Sequence, residues 1–362
     1  MKKTLLALAV AAVATSASAA TVYNQDGTTV DVGGRFDVVL GKFGDDQRTD
    51  LRNNESRINI KAQHDLGDGY KVSAYTRLRF DNGEVFTSDD DASRTNTFDN
   101  PTTNKLWLAL EKDGFGRVSF GRQNTSGDDV SLNDNAYFLG GNNNLLTSGK
   151  KVVSFRSADF QLAEGQTLGF GVDYAFGESA KNKDYKTTDD EKTGLKNGYG
   201  ASLFYGADFD GVALNLNAGY TVKNDDNADQ YSNATGKQAK AWRVASQLGF
   251  AGAKFGAEYG ETRNKNADAN TSKKHFVLVG AEYQVLPESK LFAQWKRDDE
   301  KFANSDKRKL ENTYIVGADY AFTKNVVTYV QYGRVSGKDT DAQGVVTKAK
   351  DNVYGAGLRV YF

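Results

Sequence analysis

Tyr354-Gly355-Ala356-Gly357-Leu358-Arg359-Val360-Tyr361-Phe362 closes the chain, and read in steps of two it separates into two kinds of surface. Tyr354, Ala356, Leu358, Val360 and Phe362 share one face, and Gly355, Gly357 and Arg359 share the other. Side chains alternate across a strand, so period two predicts an extended segment with one apolar and one polar face. The same reading fits 314–322, where Tyr314, Val316, Ala318, Tyr320 and Phe322 oppose Gly317, Asp319 and Ala321. It fits Trp242, Val244, Leu248 and Phe250 against Arg243, Gln247 and Gly249, and Val212, Leu214, Leu216, Ala218 and Tyr220 against Asn215, Asn217 and Gly219.

Extended to the whole chain, the pattern gives about sixteen segments. Their connections alternate in length. Short ones such as Asp65–Gly69, Asp113–Gly116, Asp208–Gly211 and Thr323–Asn325 follow long, charged ones near 44–55, 81–103, 124–149 and 178–197. Short turns at one end, long loops at the other and an even strand count predict a 16-stranded antiparallel transmembrane β-barrel of the all-β class. Rings at the two ends of one apolar face support this. Tyr354 and Phe362, Tyr314 and Phe322, and Trp242 and Phe250 lie eight residues apart. Eight residues of tilted strand rise about 20 Å, close to the height of the apolar band of such barrels. A soluble β-sandwich would have no reason to place rings at both ends.

Composition agrees. The chain has 37 Gly and only 2 Pro, and proline cannot donate to a ladder. Mean hydropathy of −0.60 suits a wide barrel, in which only alternate residues meet lipid. Lys2 and Lys3, an apolar run from Leu5 to Val13 and Ala17-Ser18-Ala19 predict a cleaved secretory signal over residues 1–19, with the barrel over 20–362. Without Lys2 and Lys3 the net charge goes from −1 to about −3, a balance that speaks against nucleic acid as a partner. There is no cysteine, hence no disulfide framework and no thiolate metal site.

No catalytic constellation emerges. His64 and His275 lie on separate segments with outward parity, and no Gly-x-Ser-x-Gly or phosphate loop is present. Ser88-Asp89-Asp90-Asp91 lacks the spacing of a calcium loop. The reading is of a chain that is not an enzyme and needs no cofactor. Parity turns Arg35, Arg57, Lys61, Arg77, Arg79 and Lys105 inward from the first four segments, with Lys150 and Arg156 from the sixth. Together they predict one basic wall inside the barrel, although each reads equally well as a solvated lumen residue or a partner of Asp31 or Asp37. A wide barrel also needs something to narrow it, and the Asn- and Gly-rich connection 124–149, with Asp128, Asp129 and Asp134, is the candidate.

Several stretches resemble Gram-negative general porins, in particular those of Pasteurella, Haemophilus and Vibrio. They are Thr21–Gly27 with Val30–Arg35, the Ser56-Arg57-Ile58 and Lys105 strand openings, Gly256–Arg263, and the terminal Tyr361-Phe362. The resemblance covers the mature chain. It implies an outer-membrane homotrimer of 16-stranded barrels surrounded by lipopolysaccharide and outer-membrane lipid. Each barrel would pass small hydrophilic solutes and ions by passive diffusion, with Phe362 read by the barrel-assembly machinery. It implies further that the third loop folds inward with its acids facing an arginine cluster. Asp134 aligns with the first of those acids, Arg35, Arg57 and Lys105 with the cluster, and Lys150 through a gap. Phe138 stands where the family has its second acid, which leaves Asp128 or Asp129 to substitute. A substrate-specific channel is the nearest alternative. It would need stacked aromatics in the lumen, whereas the inward Tyr75, Trp107, Phe204, Phe276 and Phe292 are scattered. An adhesin or phage-receptor role of the long loops is compatible with either.

Overall fold

The computed structural model describes residues 19–80, 98–177, 194–226, 238–265, 271–303 and 305–362. All of the predicted signal but Ala19, the Ser88–Asp91 run and most of the long connections at 81–103, 178–197 and 224–237 lie outside the described residues. Sixteen antiparallel strands form a closed wall. They are β1 Thr28–Lys42, β2 Arg57–Gly67, β3 Tyr70–Arg79, β4 Thr102–Lys112, β5 Gly116–Asn124, β6 Ser148–Ser157, β7 Gln166–Phe176 and β8 Gly194–Phe209. The wall continues with β9 Val212–Asp226, β10 Gln238–Phe250, β11 Ala253–Lys265, β12 Thr271–Leu286, β13 Ser289–Phe302, β14 Arg308–Thr323, β15 Val326–Thr340 and β16 Val346–Tyr361.

Closure joins β16 to the upper half of β1, from Tyr354 opposite Lys42 to Tyr361 opposite Arg35. Below that point the short strand Ala20–Gln25 takes over as the neighbour of β1, with Ala20 opposite Val32. Gly34 N–H donates to Phe362 O at 2.8 Å, and the Phe362 ring stacks on Phe36 at 5.5 Å. The terminal phenylalanine therefore fills the seam where the sheet would otherwise present an edge.

The period-two reading matches the two faces. Phe322 is 64% exposed and Leu358 44%, on the outside of a fold whose inward Gln331 and Asp37 are buried. Apolar surface of that extent needs hydrocarbon around it. At the short-turn end, Asp210 and Gly211 both have positive φ (54° and 91°), as do Ala251 and Gly252 (48° and 80°). Such residue pairs match the right-handed twist of the strands they connect.

Inside, the buried apolar clusters lie where a loop meets the wall. Phe138 and Leu139 pack with Phe43, Phe292, Ile315 and Tyr329, and Val130 and Leu145 pack with Phe204 and Ala241. Two glycines of the inner wall show why that loop can sit so close. A Cβ on Gly256 would lie 1.8 Å from Asn133 Oδ1, and one on Gly219 would lie 2.7 Å from Leu145 Cδ1. Inward glycines are thus the floor on which the loop rests.

Candidate functional site

The inward cations of the first strands stand side by side. Arg35 is opposite Arg57, Arg57 is opposite Arg79, and Arg77 is opposite Lys105. Like charges in direct register repel, so a counter-charge is required. Glu55, which the sequence reading did not single out, supplies it. It precedes β2 with a left-handed φ of 63°, and its carboxylate meets Arg35 at 2.6 Å, Arg79 at 3.3 Å and Arg57 at 3.4 Å. Burial works against ionisation of Glu55, but Arg79, Arg35 and Arg57 outweigh it and hold the carboxyl below its ordinary range. Asp37 is fully buried beside this group. It accepts from Arg359 Nε at 2.6 Å, Tyr329 O–H at 2.8 Å and Asn54 Nδ2 at 3.1 Å.

Two recesses open along this wall. One of ≈ 420 Å³ is lined by Arg35, Arg57, Lys61 and Arg77, and one of ≈ 240 Å³ by Arg77, Lys105, Arg117, Arg156 and Asp129. Arg117 shares the inward parity of its strand and was overlooked by the sequence reading. Tyr75 and Trp107 stack at 5.2 Å, with the Arg77 and Arg117 guanidinia 5.7 and 5.3 Å from their respective ring centroids. Arg156 lies 3.5 Å over the Phe204 ring. Lys150 is not brought to either recess. It is exposed, beside a register shift at which Gly121 pairs with Val152 but Gln123 pairs with Gly149.

Opposite runs the connection from Asn124 to Thr147, with one 3₁₀ turn at Asp128–Val130. A buried ion pair clamps its two arms to the wall. Arg243 of β10 and Glu258 of β11, both with side chains 0% exposed, meet at 2.5 Å. Glu258 accepts from the N–H groups of Leu132 and Asn133, each at 2.7 Å, and from Ser131 Oγ at 3.0 Å. Arg243 donates to Asn142 O at 3.1 Å and Asn144 Oδ1 at 3.3 Å. Beyond the clamp, the Tyr137 ring stacks on Tyr329 at 4.0 Å and its hydroxyl donates to Asp319 at 2.6 Å. Ser126 N–H donates to Asp173 of β7 at 2.9 Å. The loop is thereby pinned to strands from β7 to β15, while the basic wall of β1–β6 lines the two recesses.

The three loop acids do different things. Asp128 is pushed up to about 6 by burial and by Asp129, against the pull of Lys105 and Arg77. Asp129 is also raised by burial, against Arg156, Lys105 and Arg117. These two carboxyls face the cations. Asp134 instead bends back on its own loop, with Oδ2 accepting Gly141 N–H at 2.6 Å and Oδ1 facing Gln294 Nε2 at 3.4 Å. It lines the recess at the loop tip together with Arg35, Glu55 and Arg359.

Comparison with known proteins agrees with this architecture. A family profile described as Gram-negative porin matches residues 5–340. A major outer membrane protein of Pasteurella multocida strain Pm70 is 39% identical over 376 residues, covering the whole of both chains, and another from the same species is 37% identical over 380 residues, again in full. Among solved structures, OmpT of Vibrio cholerae superposes with a TM-score of 0.68 at 19% identity, over 94% of this chain and 99% of that one. An anion-selective porin from Comamonas acidovorans gives 0.64 at 17%, over 92% and 100%. At such identities the structural likeness speaks for the barrel alone. The profile and the full-length relatives go further: this chain belongs to the Gram-negative porin family and is a diffusion channel of the outer membrane.

Proposed function

We propose that the narrowest part of the pore lies between the wall bearing Arg35, Arg57, Arg77, Arg79, Lys105 and Arg156 and the loop bearing Asp128 and Asp129. Asp134 holds the loop's turn, and Lys150 stays outside both recesses. The observation behind this is the one-sided anchoring of the loop by Arg243 and Glu258, which leaves recesses lined by the cations on the other side. Cations on one side and carboxylates on the other set up a transverse field that orients dipolar solutes. Apolar solutes must disturb ordered water to enter. Residues 1–19 act as the export signal, Phe362 is the element read by the barrel-assembly machinery, and three copies assemble in a layer of lipopolysaccharide.

Cations outnumber carboxylates at this throat, so a mild preference for anions is expected. Asp128 makes it depend on pH: protonation below about 6 removes a negative charge. In a salt gradient across a planar bilayer, the reversal potential should indicate anion preference and move further that way between pH 8 and pH 5. D128N should remove most of that pH dependence. Cation preference would overturn the charge assignment, and an unchanged titration in D128N would remove Asp128 from the throat.

A further inference from the structure

Tyr75 and Trp107 are two of the inward aromatics that the sequence leaves scattered. The fold sets them directly opposite one another on β3 and β4, stacked in the wall of the ≈ 240 Å³ recess. Both are half-buried, so each presents part of its ring to that space. Around them stand Arg77, Lys105, Arg117 and Arg156. Arg77 Nε is occupied, donating to Asn59 Oδ1 at 2.8 Å and to Tyr75 Oη at 3.1 Å. Lys105 and Arg117 make no hydrogen bond or ion pair with a protein group among the described residues. Arg156 reaches Asp159 only at 3.9 Å.

The charge count selects the ligand's charge. Asp128 and Asp129 lie close enough to these cations to offset two of the four. Two positive charges remain, and a phosphate monoester supplies about two negative ones at neutral pH. The fork of a guanidinium suits phosphate oxygens, and Arg117 has its fork free.

The rest of the recess is not built for a bare anion. Gln123, Thr125 and Ser154 line it with neutral polar groups. Thr125 Oγ1 donates to Leu146 O and keeps lone pairs for an incoming hydroxyl. The two rings offer an apolar surface to the C–H face of a pyranose. Sites that bury drug-sized ligands run to roughly 300–1,000 Å³, so this one suits a single small ring with its phosphate.

We infer that this recess is a binding site for a monosaccharide phosphate, visited by the solute as it crosses the pore. The inference rests on the proposed throat at this wall and adds a ligand class to it. The test is isothermal titration calorimetry of the purified protein in detergent with glucose 6-phosphate, inorganic phosphate and glucose. The wild type should bind glucose 6-phosphate about fivefold more tightly than inorganic phosphate, the share of the ring contact. It should bind it at least about tenfold more tightly than glucose, the share of the charge. R117Q should weaken glucose 6-phosphate and inorganic phosphate alike, by about tenfold. W107L should erase the advantage of glucose 6-phosphate and leave inorganic phosphate unchanged, whereas W107F should keep it. Equal binding of glucose 6-phosphate and inorganic phosphate by the wild type would reduce the site to a bare anion cluster and overturn the inference. So would equal binding of glucose, an advantage that survives W107L or is lost in W107F, or full affinity in R117Q. Calorimetry reads binding without conduction, so its failure is distinguishable from failure of the throat, which reversal potentials report.

Discussion

Glu258→Ala releases the third loop from the wall: open-channel current becomes larger and noisier, and the 131–144 segment becomes a protease target. The wild-type carboxylate holds Arg243, two backbone N–H groups and a hydroxyl of the loop, all out of water. Its removal leaves the Arg243 guanidinium buried beside carbonyls alone. Breaking a buried pair by removing one partner costs about 3–5 kcal/mol. The sheet keeps its ladders, so the cost falls on the loop and shifts its docked-to-released ratio by roughly two to nearly four orders of magnitude. Glu258→Gln, which keeps an acceptor for Leu132 and Asn133, should fall between. Single-channel recording and limited proteolysis check both variants. Wild-type current with a protected loop would mean that the clamp is dispensable.

Glu55→Gln acts on the other side of the throat. It leaves Arg35, Arg57 and Arg79 in register without a neutralising carboxylate. A unit charge about 7 Å from a passing ion is worth roughly 0.6 kcal/mol in a water-filled pore, a factor of about two to three in relative permeability. The charge acts with opposite sign on the two ions, so the anion-to-cation permeability ratio should rise by about the square of that factor, roughly sevenfold, and Arg57→Gln should lower it. The stability cost of Glu55→Gln should be modest, because the carboxylate is 41% exposed and solvent screens its pairs. Reversal potentials decide the matter. A ratio unmoved by either substitution would place the selectivity elsewhere.

The parts of this architecture that were legible in the sequence are those set by period two. Leu358 and Phe322 face outward and Arg35, Arg57, Arg77 and Lys105 face inward because a strand has only two sides. Lys150 shows where that reasoning ends. The register shift opposite Gln123 interrupts the alternation, and a displaced register turns side chains to the other face. Glu55 was hidden for a different reason: it lies between strands, in a left-handed backbone conformation that sequence signals assign to Gly, Asn or Asp. Arg243 had visible inward parity and Glu258 sits in a recognisable run. Their grip on residues more than a hundred positions away depends on loop packing that no local pattern encodes. Asp134 was identifiable by its distance from Gly140-Gly141, but the side to which its carboxylate turns was not.

Water and ions pass along the inner side of β4 while lipid covers its outer side. The native chain has no cysteine, so single cysteines can be read without background. The decisive measurement places one at Lys105 and one at the neighbouring, outward Leu106, adds a charged, membrane-impermeant thiol reagent, and records single-channel current. Modification should change the current through the Lys105→Cys channel within the recording and leave Leu106→Cys untouched. No response at Lys105→Cys, or the same response at both positions, would contradict the account.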